Sequence, residues 1–194
     1  MPKFSEFNYG EHFGLVKKRI FFGDELKWDA KAPRVAVEIG SREGSSTLWF
    51  LDNLLKADAS RLYCIDPWEE DPKFFDNFNA NIREHPAGNK VRILRSRSYD
   101  ALQQLVREGF QCDFVYIDGS HAAHDVMWDL MLSFRILRVG GVMMCDDYTW
   151  PMENGRYLDT PKAAIDAFTT IYAEKFRWIR ASALFQIALK KTAD

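Results

Sequence analysis

Five short apolar runs, each separated from the next by a stretch with helical spacing, constrain this chain more than any other feature. They are residues 34–39 (RVAVEI), 61–66 (RLYCID), 90–94 (KVRIL), 113–118 (DFVYID) and 141–145 (GVMMC). Each is nearly continuous in hydrophobicity. Strands buried on both faces read this way, and a parallel sheet covered by helices buries both faces. In the intervals, Asp71-Pro72 opens a helix with a capping aspartate and a first-turn proline. Phe74, Phe78 and Ile82 follow at helical spacing, and Pro86 and Gly88 end it. Residues 122–137 carry Val126, Leu130, Phe134 and Leu137 on one stripe, and Gly140-Gly141 is expected to close that helix. Thr160-Pro161 starts another, with Ile165, Phe168 and Tyr172. Two last strand-like runs, 176–181 and 184–189, meet in a tight turn around Ser182, which makes them antiparallel. In the second, Phe185, Ile187 and Leu189 alternate with Gln186 and Ala188. The expected fold is therefore a doubly wound α/β domain whose mostly parallel sheet ends in an antiparallel hairpin.

At 194 residues the chain is read as one domain, residues 31–194, preceded by an extension, residues 1–30. Hydrophobic residues at 47% against 28% charged exclude disorder. A net charge of −2 argues against nucleic-acid binding and against a polybasic membrane surface. No run approaches the ~20 apolar residues of a membrane span, and the N-terminus lacks the apolar core of a signal peptide. A soluble, cytoplasmic protein is expected. Cys64, Cys112 and Cys145 are odd in number and sit in apolar runs, as buried reduced thiols do. The extension holds Phe4, Phe7, Tyr9, Phe13, Phe21 and Phe22. It reads as a helical lid over the site, as a dimer contact that would make a homo-oligomer, or as a helix packed on the sheet edge.

The first run leads into Gly40-Ser41-Arg42-Glu43-Gly44-Ser45-Ser46-Thr47 and then a helix. Glycines there let the backbone turn sharply and approach a ligand, and the helix N-terminus presents free N–H groups. The dinucleotide fingerprint would put glycine where Arg42 stands, which counts against NAD or FAD. Glu38 at the strand's end would repel a phosphate and attract an ammonium. Asp66 ends the second run, 26 residues after Gly40 (66 − 40). An acid there accepts hydrogen bonds from ribose hydroxyls, or else forms a turn. Pro67-Trp68 follows, and Trp68 either flanks an adenine or packs.

Asp118 ends the fourth run, and Asp146 and Asp147 end the fifth. On neighbouring strands these acids would meet at the carboxyl edge of the sheet, where ligands bind. Crowded carboxylates repel unless protonated or bridged by a cation, and hard oxygen ligands suit Mg²⁺ or another divalent cation. Helix capping, solvent exposure or direct substrate contact are the other roles open to them. His121, three residues beyond Asp118, titrates near neutral pH and suits a general base, as does His124 one turn on. A solvent-facing or capping histidine is the alternative. Residues 148–160 form a loop at the same edge, with Tyr148, Trp150 and Arg156 as acceptor-site candidates.

VEIGSREGSST, CIDPW, DFVYIDGSH and LRVGGVMMCDDY together resemble a class I S-adenosylmethionine-dependent methyltransferase, in the branch of small O-methyltransferases similar to catechol and sugar enzymes. The resemblance spans residues 35 to about 189. It implies a Rossmann-like, seven-stranded sheet with a C-terminal antiparallel hairpin. It implies that Gly40, Ser41 and Gly44 lie against the cofactor's methionine part, with Glu38 near its ammonium and Asp66, Pro67 and Trp68 around ribose and adenine. Arg97 and Ser98 fall where the third strand leads to the adenine pocket. Asp118, Asp146 and Asp147 match a metal trio, and His121 stands where catechol-type enzymes use a lysine as base. The expected reaction is O-methylation of a small hydroxylated acceptor, in which a divalent cation lowers the hydroxyl pKa and His121, next to Asp118, takes the proton. Two other classes stay open: a nucleotide-dependent Rossmann oxidoreductase, and a catalytically silent module that binds the cofactor and serves a partner.

Overall fold

The computed structural model describes residue 4 and residues 10–150, 156–180 and 185–194, with residues 10–14 as backbone only. Seven strands form one sheet: β1 (Val35–Ile39), β2 (Arg61–Ile65), β3 (Val91–Leu94), β4 (Cys112–Ile117), β5 (Leu137–Cys145), β6 (Phe176–Trp178) and β7 (Ile187–Lys191). Their order is β3-β2-β1-β4-β5-β7-β6. The pairs from β3 to β5 are parallel, and β7 runs antiparallel to both β5 and β6. The helices are α1 (Gly10–Phe22), α2 (Ser45–Asn53), α3 (Pro72–Glu84), α4 (Ser98–Arg107), α5 (Ala123–Ile136) and α6 (Pro161–Ile171). The chain winds outward from β1 to β3, then returns to the other side of β1. That reversal puts a topological switch point between β1 and β4, where a crevice opens beyond the carboxyl ends of the strands.

The pleat divides each strand between two cores. Val37, Ile39, Val115, Ile117, Met143 and Leu189 pack with residues of α4, α5 and α6. Ala36, Leu62, Phe114, Tyr116, Val142 and Met144 pack with residues of α1, α2 and α3. Both faces are covered, which is why the strands read as continuous apolar runs. The extension joins the second core: Ile20 and Phe21 are fully buried, and the Phe21 ring meets Phe114 edge-on at 4.9 Å. This contact seats α1 on the face of the sheet at β4, an interior strand, rather than on the sheet edge. No described helix is long and apolar enough to cross a membrane. All three cysteines are free and buried.

Two boundaries differ from expectation. Gly140-Gly141 does not stop α5. The helix ends at Ile136, and β5 starts at the next residue and contains both glycines. A register shift between Cys112 and Phe114 accommodates the extra residues on β5, and Gly140 takes φ +88°, open to glycine without strain. The final strand also lacks a polar face, because Gln186 and Ala188 are as buried as Leu189. β7 lies between β5 and β6 rather than at an edge. The turn around Ser182 lies outside the described residues.

Candidate active site

Two loops touch at the switch point. Gly40 (φ +82°) donates its N–H to the carbonyl of Ile65 at 2.9 Å. A Cβ on Gly40 would stand 2.0 Å from the carbonyl oxygen of Asp118, so the turn after β1 lies directly against the turn after β4. Gly44 (φ +90°) caps α2, and a Cβ there would come within 3.2 Å of the Phe78 ring.

Asp66 points into this turn. Its Oδ2 accepts the N–H groups of Ser41 (3.0 Å) and Arg42 (2.9 Å), and its Oδ1 accepts that of Trp68 (2.6 Å). The carboxylate is half-buried, and Oδ1, which accepts a single hydrogen bond, keeps a lone pair. Glu38 lies beneath the loop, fully buried. Its Oε2 accepts the hydroxyls of Ser41 (2.8 Å) and Thr47 and the Cys64 thiol (3.3 Å), while Oε1 is buried without a hydrogen-bond partner among the described residues. Burial pushes its carboxyl pKa up, against those three donors and the Lys17 charge. In this position Glu38 braces the loop from below.

The other candidates around this turn have their own surroundings. Trp68 is 3% exposed, packs on Phe75 and Phe78, and donates Nε1–H to the Arg42 carbonyl at 2.6 Å. It therefore holds the loop to α3. Pro67 is half-buried next to it. The Arg97 guanidinium is exposed and pairs with Glu69 at 2.6 Å. Ser98 opens α4.

The acid cluster divides in two. Residues 114, 116 and 118 alternate across β4 and its end, as do 142, 144 and 146 on β5, so Asp118 and Asp146 follow the row that faces α1 and α2. Asp146 accepts hydrogen bonds from the Tyr116 hydroxyl, from Gln186 (2.7 Å) and from the N–H of Asp147 (2.9 Å). Asp147 takes φ +57°, which lets it break the alternation. Its Oδ2 lies 2.9 Å from His121 Nε2, and the His121 ring stacks on Trp150 at 4.1 Å and 13°. Ligand atoms of Asp118, His121 and Asp147 all lie within 4.8 Å of one another. The cation-sized set thus holds His121 where Asp146 was expected, while Tyr116 and Gln186 bind Asp146 Oδ2. Burial, then Asp146 and Asp147, raise the Asp118 pKa well above the carboxylate range. Burial likewise raises that of Asp146. His124 is exposed and pairs with Asp125, at 3.4 Å. Of the loop candidates, the Tyr148 hydroxyl is bound to Asp166 (2.7 Å) and Lys162 (2.6 Å), and Arg156 pairs with Asp159. Residues 151–155 lie outside the described residues.

Sequence reasoning passed over Lys17. It lies on α1, is 4% exposed, and donates from Nζ to Ser46 Oγ at 2.9 Å. The rings of Tyr116, Phe50 and Trp49 surround it at 4.7, 5.1 and 5.7 Å from Nζ. Burial lowers its pKa, while Asp146, Asp118 and Glu38 pull it back up. In the sequence Lys17 is one of two adjacent lysines on a helix, and nothing there marks one as inward.

Residues 37–148, more than half of the chain, match a family model described as a methyltransferase domain. No curated protein matches the sequence. Solved structures do. A Corynebacterium glutamicum protein is 23% identical, with a TM-score of 0.68 over 95% of this chain and 82% of its own. An O-methyltransferase from Bacillus cereus in complex with SAH is 19% identical, with a TM-score of 0.67 over 98% and 84%. The MycE methyltransferase of the mycinamycin biosynthetic pathway, in complex with Mg, SAH and mycinamycin VI, is 14% identical, with a TM-score of 0.65 over 97% and 50%. At these identities the likeness establishes the fold.

Proposed function

Since the chain belongs to the methyltransferase domain family, we propose that it is an S-adenosylmethionine-dependent O-methyltransferase of a small hydroxylated acceptor, sugar- or catechol-like, assisted by a divalent cation. The observation that carries this reading is the meeting of the Gly40 turn, Asp66 and the Asp118–His121–Asp147 set at one switch point. The residues suit the cofactor chemically. Asp66 Oδ1 keeps a lone pair for a ribose hydroxyl, and Asp118 and Asp146 offer carboxyl groups whose raised pKa values a cationic sulfonium would draw back down. They also suit a divalent cation: two carboxylates and an imidazole form a set that accepts Mn²⁺ or Zn²⁺ at least as readily as Mg²⁺. The MycE complex with Mg and SAH is in keeping with a cation beside this cofactor.

When bound, S-adenosylmethionine supplies an electrophilic methyl group. The protein's part is alignment and proton removal. Asp66 and the bare Gly40–Gly44 backbone orient the nucleoside and amino-acid parts. Asp118, His121 and Asp147 would hold the cation, which would supply Lewis-acid lowering of the acceptor hydroxyl's pKa. A second reading rests on the 2.9 Å His121–Asp147 hydrogen bond. Without a cation, Asp147 orients the imidazole and His121 takes the proton itself. The oxidoreductase reading is set aside with the family. The extension is read as a cap, since α1 brings Lys17 to the site.

Thermal shift tests the cofactor. S-adenosylhomocysteine at about 100 times its Kd stabilises by ~2.7 kcal/mol, which for a chain of this size is a rise of roughly 5–10 °C. NAD gives no rise, and Asp66→Ala removes most of the effect. No response to S-adenosylhomocysteine would overturn the assignment. Transfer of labelled methyl to catechol and sugar panels distinguishes an enzyme from a silent module. Activity lost to a chelator and restored by Mn²⁺ or Mg²⁺ supports the cation; chelator-insensitive turnover supports His121 as base.

A further inference from the structure

Three carboxylates and one ammonium share the α1–α2 side of the switch point. Glu38, Asp118 and Asp146 all act electrostatically on Lys17. Even so, Lys17 forms no ion pair with any described residue within 4.0 Å; its hydrogen bond goes to Ser46, in the first turn of α2. An ammonium has three donors. One is used, aromatic rings line much of the surrounding space, and a buried cation without a charged partner is costly. The N–H groups of the α2 first turn add positive potential beside it. The nine-residue helix has no side-chain cap at Gly44 and no acid in its first turn. The crevice thus has a row of acids along the strand ends and a separate ammonium corner at Lys17 and Ser46.

We propose that Lys17 is the counter-ion for the α-carboxylate of the cofactor's amino-acid part, so that α1 supplies a cofactor-binding group. This rests on the cofactor reading above. The zwitterion fits the charge layout: its cationic sulfonium and ammonium face the acids, and its carboxylate reaches Lys17 Nζ and Ser46 Oγ. Lys17 discriminates the amino-acid part and leaves the nucleoside to Asp66. Residues 1–30 are then part of the binding site rather than an appendage, and the cofactor helps hold α1 in place.

The test compares two ligands differing only in that part: S-adenosylhomocysteine, and 5′-methylthioadenosine, the same nucleoside thioether without amino and carboxyl groups. Calorimetry is run on wild type, Lys17→Met and Lys17→Arg. Met fills the same aromatic surroundings, and circular dichroism with a melting curve checks that the variant folds. A charge-assisted hydrogen bond of ordinary strength predicts that Lys17→Met weakens S-adenosylhomocysteine about 10- to 100-fold while methylthioadenosine changes less than about 2-fold. Lys17→Arg recovers most of the loss. Equal weakening of both ligands would make Lys17 a purely structural residue, and unchanged affinity for both would remove it from the site. Unchanged affinity with reduced kcat would make it a proton acceptor; each of these outcomes overturns the proposal. If wild type binds neither ligand, the cofactor assignment fails instead.

Discussion

Replacing Gly40 with alanine measures how tightly the two site loops are joined, and Gly140 supplies the control. Both residues have positive φ, +82° and +88°. An L-residue in that region costs about 1–2 kcal/mol in either place. They differ in surroundings. A Cβ on Gly140 meets nothing within 4 Å, whereas on Gly40 it stands 2.0 Å from the Asp118 oxygen, 2.6 Å from its carbonyl carbon and 2.8 Å from Gly119 Cα. All three are backbone atoms, so relief requires the turns after β1 and β4 to separate. The bonds that resist this are Gly40 N–H to Ile65 and Asp118 N–H to Ile39, each 2.9 Å. Losing one buried backbone hydrogen bond adds about 1–3 kcal/mol. Gly40→Ala is thus expected to cost about 2–5 kcal/mol against about 1–2 for Gly140→Ala. At roughly 2–4 °C per kcal/mol, the melting temperature falls by about 4–20 °C and about 2–8 °C respectively. Urea denaturation followed by circular dichroism reads both, and calorimetry reads S-adenosylhomocysteine affinity, which falls only in Gly40→Ala. Equal destabilisation of the two variants, with affinity unchanged in both, would refute the picture of two loops locked at the switch point.

Two further outcomes follow from buried polar groups. Asp129 is 1% exposed, its two oxygens have no hydrogen-bond partner within 3.5 Å among the described residues, and burial, opposed by the nearby Ser98 hydroxyl, raises its pKa from 3.8 to about 7. The folded state then binds more protons than the unfolded one between those values, so stability from this group is full below pH ~4 and is lost as pH rises toward 7. The shift, 7 − 3.8 or about 3 units, corresponds to on the order of 4 kcal/mol at most. Asp129→Asn should flatten the dependence of the denaturation midpoint between pH 4 and 7 and raise stability at pH 8; an unchanged slope would contradict this. Trp68→Phe keeps the ring but removes the hydrogen bond to the Arg42 carbonyl. It should cost about 1 kcal/mol by denaturation and weaken cofactor binding through the loop, while an effect on binding comparable to that of Asp66→Ala would indicate direct contact between Trp68 and the cofactor.

The sequence by itself determined the alternation of strand and helix, the parallel sheet and its antiparallel end, because burial on both faces and the capping residues around Asp71-Pro72 and Thr160-Pro161 are local signals. It also located Gly40, Asp66, Asp118 and the Asp146-Asp147 pair, since each lies at the end of an apolar run where such a fold opens its crevice. It did not determine which way those side chains turn. Asp146 and Asp147 are adjacent in the chain, yet one is bound by Tyr116 and Gln186 and the other faces His121; a positive φ at Asp147 separates them. Trp68 and Glu38 became supports of the loop because α3 and β2 lie beneath it. Lys17 was hidden altogether. Its position depends on α1 docking through Phe21 onto Phe114, 93 residues away (114 − 21), and a contact of that range leaves no periodic trace in the chain. Spacing along a sequence reports which residues share a face, but the partner of a charge depends on what other elements bring to that face.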